Sequence, residues 1–239
     1  MSLVVLAFAT LATCQKLMAD RCLLYYITDG RALSEDESNR HRPLLEKIAE
    51  AAVAGVDYIQ LRERDLSTRV LELLAHESVA LLNELRAENR ELRTALLINS
   101  RTDVALAVGA EGVHLRSDDI SPQEVKEVWD QCGGSKRVQI GVSCHSTSAV
   151  KQAESNGANF VVFAPVFEKK DVPASQPAGL SRLREACKNS IPVLALGGVT
   201  MENAKECLDA GAAGIAGIRL FQQNDVAKVV SRIRQLQRR

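Results

Sequence analysis

Short apolar segments alternate with amphipathic segments along the whole chain. Eight apolar segments predict strands, at residues 23–28, 58–62, 95–99, 112–115, 139–144, 160–166, 192–198 and 214–220. An amphipathic segment that predicts a helix follows each strand, at residues 43–54, 68–88, 102–108, 122–129, 147–155, 180–188, 201–210 and 226–236. Strands that alternate with helices form parallel sheets through right-handed crossovers, and eight such repeats are typical of a closed barrel. The pattern predicts an α/β fold, a single (β/α)8 TIM barrel.

No stretch rich in proline, glycine or serine divides these repeats, so we predict one domain. The 239 residues suit one large barrel or two small domains, and length alone does not decide between them. We assign residues 21–239 to the barrel and residues 1–20 to an N-terminal extension. The alternative architecture is an open doubly wound sheet, which would also place a site at the carboxyl ends of its strands.

An apolar run occupies residues 3–13 of the N-terminal extension. A secretion signal would have a basic residue before such a run, and none precedes it. The run is also too short to span a bilayer as a helix. We therefore expect a loose tail or a misassigned start, in which case Met18 is the true first residue. Export of the protein is the alternative.

The cysteines and the charge balance limit the compartment and the partners. Six cysteines form no CxxC pair, at positions 14, 22, 132, 144, 187 and 207. A chain of this length does not need disulfides, so we expect reduced thiols and a cytoplasmic protein. Basic and acidic residues both number 30, which argues against a nucleic-acid partner because such proteins need a basic surface. We expect no membrane partner, and the sequence leaves a homo-oligomer open.

The second predicted strand ends in a cluster of cationic and amide side chains. Side chains alternate between the two faces of a strand, so Gln60, Arg62 and Arg64 share one face while Ile59 and Leu61 share the other. Two guanidinium groups beside an amide can grip an anion that has several oxygens, such as a diphosphate. The alternative is a solvated edge strand with two surface arginines.

Polar residues also follow the other strands, and in a barrel these strand ends meet at one mouth. They are Asn99 with Ser100 and Arg101, the segment 116–119, Ser143 with His145, Lys169 with Lys170, Gly197 with Gly198, and Arg219. The two lysines fall in a proline-containing loop, residues 168–179, which we interpret either as a lid or as a solvated surface loop.

Three of these groups have residue types that suit particular chemistry. Gly197 and Gly198 would let backbone amides approach a phosphate, unless the glycines serve only tight packing. Asp119 offers hard oxygen ligands for Mg²⁺, and the alternative role is to cap the next helix. His145 can transfer protons near neutral pH, or it can be a packed histidine hydrogen-bonded to Ser143 or to the backbone.

Six short motifs, in order along the chain, together resemble the thiamine phosphate synthase/TenI family over residues 23–221. They are IQLRER at 59–64, INSRTD at 98–103, GVHL at 112–115, GVSCHS at 141–146, APVF at 164–167 and PVLALGGV at 192–199. The resemblance implies an enzyme of thiamine biosynthesis, a transferase that joins hydroxymethylpyrimidine diphosphate to thiazole phosphate. Diphosphate is released, with Mg²⁺ as the cofactor.

The resemblance also implies roles for individual residues. Gln60, Arg62 and Arg64 would hold the diphosphate, with Asn99 beside them. Asp119 would bind Mg²⁺, Ser143 would contact the diphosphate or the pyrimidine, and Lys170 would reach over the leaving group. The thiazole phosphate would bind at Gly197, Gly198 and their neighbours, and Arg219 is a further substrate-binding candidate.

The chain departs from the family pattern at several of these positions. Arg64 replaces a lysine, Ser100 replaces an aspartate that would be a magnesium ligand, and Arg116-Ser117 replaces a glycine–glutamine pair. The TxTK sequence after the sixth strand is absent, and the pattern near strand eight is altered to Gly217-Ile218-Arg219. We favour the synthase, since a tautomerase needs no diphosphate clamp. The alternatives are a TenI-like thiazole tautomerase that uses His145 as acid and base, and a non-catalytic binder of thiazole phosphate or thiamine phosphate.

Overall fold

Eight parallel strands close into a barrel in the computed structural model, which describes residues 21–36, 39–133, 137–168 and 177–237. The strands are β1 (Leu23–Ile27), β2 (Tyr58–Leu61), β3 (Ala95–Asn99), β4 (Gly112–Leu115), β5 (Gln139–Cys144), β6 (Phe160–Phe163), β7 (Val193–Ala195) and β8 (Gly214–Gly217). Each strand pairs with the next, and β8 pairs with β1. The predicted (β/α)8 barrel is confirmed, and the open doubly wound sheet is excluded.

Helices follow the strands around the outside of the barrel. They are α1 (His41–Ala54), α2 (Thr68–Glu88), α3 (Thr102–Val108), α4 (Pro122–Gln131), α5 (Thr147–Ser155), α6 (Gly179–Ala186), α7 (Ala204–Asp209), the one-turn α8 (Arg219–Gln222) and α9 (Val226–Gln237). Their apolar sides pack on the outer face of the sheet and form the larger part of the core. No helix within the described ranges is long and apolar enough to cross a membrane.

Three strands end three residues earlier than the sequence predicts. β6 stops at Phe163, before Pro165, which has no N–H to give to a strand ladder. β7 stops at Ala195, because Gly197 and Gly198 have positive φ angles and leave the extended conformation. β8 stops at Gly217, and Arg219, predicted to lie in that strand, instead begins α8.

An aromatic cluster fills the middle of the barrel. The rings of Tyr58 and Phe160 stack with their centroids 4.7 Å apart, and Tyr25 meets Phe160 edge-on at 5.3 Å. Gly141 in β5 makes room for this cluster, because a Cβ there would lie 2.6 Å from the Phe160 ring and 2.8 Å from Nδ1 of His114. We call Tyr25, Tyr58 and Phe160 the aromatic floor, since they lie below the carboxyl ends of the strands.

Asp57 joins three elements at the opposite end of the barrel. Its carboxylate accepts a hydrogen bond from the backbone N–H of Leu24 in β1, at 2.8 Å. It also forms ion pairs with Arg21 at 2.9 Å and with Arg234 of α9 at 3.3 Å. One buried carboxylate therefore ties the start of β2 to the first strand and to the last helix.

Some predictions fall outside the described residues. Residues 1–20 and Lys170 are among them, so the N-terminal extension and the role of Lys170 stay predictions. The boundary at residue 21 is likewise untested. The five cysteines in the described ranges, at positions 22, 132, 144, 187 and 207, form no disulfide with one another.

Candidate active site

A cavity of about 800 Å³ opens at the carboxyl ends of the strands. Its wall contains most of the predicted site residues, namely Gln60, Arg62, Arg64, Asn99, Ser143, His145, Gly197, Gly198 and Arg219. Residues that are far apart in sequence, such as Arg62 and Gly198, therefore face the same space. Asp119 lies behind this wall rather than in it, next to Arg116.

Arg62 and Arg64 face the cavity because the residue between them points the other way. The carboxylate of Glu63 accepts hydrogen bonds from the Thr28 hydroxyl at 2.6 Å and from the Gly30 N–H at 2.8 Å. These bonds fasten the end of β2 to the loop after β1. Neither arginine forms an ion pair with any other described residue, and burial together with Arg64 lowers the pKa of Arg62. Among the described residues, the two guanidinium groups have no carboxylate at ion-pair distance, although Asp29 and Glu63 act on the charge of Arg62. An anionic ligand could supply the missing partner.

Gln60 lies deeper than the two arginines, at 1% exposure, and begins a hydrogen-bond chain across the barrel. Its amide Nε2 donates to the Tyr25 hydroxyl at 3.0 Å. The Tyr25 oxygen lies 3.1 Å from Nδ1 of His114, and Nε2 of His114 lies 2.9 Å from the Ser143 hydroxyl. The amide nitrogen of Gln60 thus already has a partner within the protein. That Gln60 holds a diphosphate beside the arginines stays a prediction.

In this hydrogen-bond chain His114 is neutral, so one of its ring nitrogens donates and the other accepts. Burial, with a smaller effect from Arg62, lowers the pKa of His114 to about 3. Gln60 donates to Tyr25, which leaves the Tyr25 hydroxyl hydrogen for Nδ1 of His114; in that tautomer the ring proton lies on Nε2 and is donated to Ser143. The hydroxyl hydrogen of Ser143 is then available to the cavity.

Tyr25 and His114 were not predicted from the sequence to be part of the site. The signal for His114 was its position two residues after Gly112, on the inward face of β4 and in line with Arg116. Nothing local marked Tyr25, because a tyrosine in an apolar strand is most often a core residue.

We expect His114 to make the protein less stable in acid. Its pKa in the folded protein lies well below the ordinary value of 6.5, so the unfolded chain binds a proton between pH 6.5 and about 3 while the folded protein does not. The free energy of unfolding should therefore fall by up to about 1.4 kcal/mol per pH unit as the pH drops through this window. His114→Gln should flatten this slope in urea unfolding. The exposed His76→Gln is the control and should keep the parent's slope.

His145 follows β5 and lies on the surface of the cavity. Its Nδ1 is 2.7 Å from the carbonyl oxygen of Ala164. A carbonyl only accepts, so Nδ1 carries the proton and Nε2 of the neutral ring has an open lone pair. The ring can therefore serve as a base, which agrees with the acid/base role suggested by the sequence, although that role stays a prediction.

Gly197 and Gly198 bring the loop after β7 against the loop after β6. A Cβ on Gly197 would lie 2.7 Å from the Cα of Pro165, and one on Gly198 would lie 2.7 Å from the Glu168 carbonyl oxygen. Their φ angles of 94° and 67° also disfavour any other residue. Close packing thus explains both glycines, and phosphate binding by nearby amides stays a prediction.

Asp119, the expected magnesium ligand, is already paired. One carboxylate oxygen accepts the backbone N–H of Arg116 at 2.7 Å, and the other faces Nη2 and Nε of the same arginine at 3.1 and 3.3 Å. Burial alone would raise the pKa of Asp119, but hydrogen bonds from Ser100 and Arg116 outweigh it and lower the pKa. Within the four described ranges, no group of three or more His, Cys, Asp or Glu could hold a metal. Because Arg116 already occupies both oxygens of Asp119 and position 100 is a serine, this strand end does not fit a magnesium ion held by protein carboxylates.

The comparisons with known proteins agree with the fold and the motifs. A family described as thiamine monophosphate synthase, TMP-TENI, matches residues 24–221. A protein of Aquifex aeolicus named putative thiamine-phosphate synthase 2 is 41% identical over 199 residues, which cover 83% of this chain and 96% of that protein. The thiamine-phosphate synthase of Syntrophomonas wolfei is 34% identical over 218 residues, covering 89% of this chain and 95% of that one.

A solved structure is also similar. The thiamine phosphate pyrophosphorylase of Pyrococcus furiosus superposes with a TM-score of 0.72 and 30% identity, covering 93% of this chain and 98% of that chain. This likeness extends the sequence match to the whole barrel.

Proposed function

Because the chain belongs to the thiamine monophosphate synthase family, we propose that it joins hydroxymethylpyrimidine diphosphate to thiazole phosphate at the cavity above the aromatic floor. The bond between the pyrimidine methylene carbon and the diphosphate oxygen breaks, and its electron pair leaves with the diphosphate. The ring nitrogen of the thiazole then donates its lone pair to that carbon. The products are thiamine phosphate and diphosphate, as expected of a transferase of thiamine biosynthesis.

The observation that carries this proposal is the pair of arginines at the cavity wall, Arg62 and Arg64, which form no ion pair within the part of the chain that the structure describes. Negative charge develops on the leaving diphosphate in the transition state, and fixed cationic donors stabilise such charge strongly inside a cavity. Ser143 lies in the same wall with a hydroxyl hydrogen free to donate. A thiazole phosphate would bind near Gly198 and Arg219, in the same cavity and after β7 and β8.

The test is direct product analysis. Purified protein is incubated with both substrates, and thiamine phosphate and diphosphate are quantified separately, with Mg²⁺ and with a chelator. The proposal expects both products in equal amounts. Absence of both under every condition would reject it. Tight binding of either phosphate ester without turnover would instead favour the non-catalytic binder.

His145 supports the tautomerase as a second candidate. A tautomerase moves a proton between two positions of one substrate, so it needs a base that faces the cavity. The open Nε2 of His145 meets that requirement, because Nδ1 is committed to Ala164. The arginines without counter-ions still favour the synthase, since isomerisation has no diphosphate to stabilise.

The variant His145→Ala separates the two candidates. If the chain isomerises a carboxythiazole phosphate, loss of the acid/base group should reduce that rate by about 10²–10⁴-fold. If it is a synthase, thiamine phosphate formation should change by less than about tenfold, since no proton transfer by His145 limits that reaction. Both rates are measured for parent and variant. The control is His76→Ala, an exposed histidine of α2 that should leave either rate unchanged.

A further inference from the structure

Arg116 lies where the sequence predicted a metal site. It follows β4, belongs to the cavity wall, and holds the Asp119 carboxylate through its backbone N–H and two side-chain nitrogens. The guanidinium also approaches Asp118, with Nε 3.6 Å from that carboxylate, but Asp118 is mostly exposed and therefore screened by water. Among the described residues, Nη1 of Arg116 has no hydrogen-bond partner. One N–H edge of this cation, whose side chain is 57% exposed, is therefore open to a ligand.

The neighbouring residues fix this guanidinium in place. Asn99 donates to the Ser100 hydroxyl at 3.3 Å, and Ser100 in turn hydrogen-bonds to Asp119. Ser100 has a φ of 58°, and its backbone N–H donates to the His114 carbonyl at 2.9 Å. The ends of β3 and β4 thus form one network, from the Asn99 amide to the guanidinium.

The charges at this network balance without a metal. In the family pattern given above, position 100 is an aspartate and position 116 a glycine. This chain has serine and arginine there, which removes one negative charge and adds one positive charge at the same place. Two carboxylates with a divalent cation sum to zero, and so do Asp119 and the Arg116 guanidinium.

We propose that the Arg116 guanidinium, held on Asp119, neutralises the departing diphosphate in place of a divalent cation, so that turnover does not depend on Mg²⁺. The inference rests on the proposed synthase function. Arg116 is then a diphosphate-binding residue that donates from Nη1, while Arg62 and Arg64 bind the same anion from the adjacent wall. Guanidinium groups suit this role because they stay charged and present several N–H donors in a plane.

The first experiment uses the parent protein, so no variant has to fold. Protein freed of metal with EDTA is assayed with both substrates, with and without added Mg²⁺. The two rates should agree within about threefold, because the charge that a metal supplies is already present. A rate that disappears in EDTA and returns with Mg²⁺ would overturn the inference and leave the proposed function intact. If no product forms with or without Mg²⁺, the proposed function fails, and the binding measurement below still decides the inference.

The second experiment reverses the two substitutions. Calorimetry measures diphosphate binding to the parent and to Ser100→Asp/Arg116→Gly, in EDTA and in Mg²⁺. The parent should bind diphosphate with similar affinity in both conditions. The double variant should bind it about tenfold or more weakly in EDTA and recover in Mg²⁺. An equal response to Mg²⁺ in parent and double variant would refute the role of Arg116.

The matched control is Arg101→Ala. Arg101 also forms an arginine–aspartate pair just after a strand, with Asp103 at 2.7 Å, but it is not part of the cavity wall. Its loss should leave both the affinity for diphosphate and the response to Mg²⁺ unchanged. A change as large as that of the double variant would mean that any nearby charge has this effect, which would also overturn the inference.

Discussion

Replacing Arg62 by alanine should slow the formation of thiamine phosphate by roughly 30- to 1,000-fold, which corresponds to ~2–4 kcal/mol of transition-state stabilisation. The guanidinium is half-buried in the cavity wall and has no ion pair within the described part of the chain. Under the proposed function, its charge is therefore available to the leaving diphosphate. Steady-state rates with saturating substrates measure the effect on kcat.

Two further variants show whether the loss comes from the site. Arg42→Ala removes an exposed arginine of α1 that pairs with Glu46 at the surface, and it should leave kcat unchanged. Arg62→Lys keeps the charge but loses the planar guanidinium, so its kcat should lie between those of the parent and of the alanine variant. Equal kcat values for Arg62→Ala and the parent, with equal thermal stability, would show that the arginine is structural.

Replacing Asp57 by alanine should destabilise the fold by about 3 kcal/mol, without any direct effect on the cavity. The carboxylate has two arginine partners and one backbone N–H. Removing it leaves Arg234 partly buried without its counter-ion and the Leu24 N–H without its acceptor. The free energy of unfolding from urea titration measures the loss.

Asp209→Ala is the matched control for this change. Asp209 pairs with Lys205 at 2.7 Å, but its side chain is 60% exposed against 6% for Asp57. Exposed ion pairs contribute roughly 0–1 kcal/mol because water and salt screen them. Similar losses in the two variants would contradict the argument that burial makes the Asp57 pairs important.

The architecture could be predicted from the sequence because it depends on local periodicity. Eight apolar segments, each followed by a helix, are compatible with few topologies. In a barrel, a polar residue that follows a strand lies at the carboxyl-end mouth. Asn99, Ser143 and Gly198 were located in this way, and all three line the cavity. The predicted end of the eighth strand was wrong, because the chain turns into α8 after Gly217, but Arg219 still lines the cavity.

The contacts within the site could not be predicted, because they depend on distances between strands that are not sequence neighbours. The hydrogen-bond chain from Gln60 through Tyr25 and His114 to Ser143 crosses the barrel. It requires the space that the missing side chain of Gly141 leaves. The pairing of Asp119 with Arg116 depends on a turn of four residues, in which either residue could have faced water. Residue type alone indicated a magnesium ligand there.

The aromatic floor limits how substrates and products can enter and leave the barrel. Tyr25, Tyr58 and Phe160 close the lumen with packed rings. Under the proposed function, substrates and products would therefore enter and leave through the same opening of the cavity. A diphosphate that stays bound after the reaction would occupy the site that the diphosphate of the next pyrimidine needs. Under the proposed function, the turnover rate would therefore depend on how quickly diphosphate dissociates.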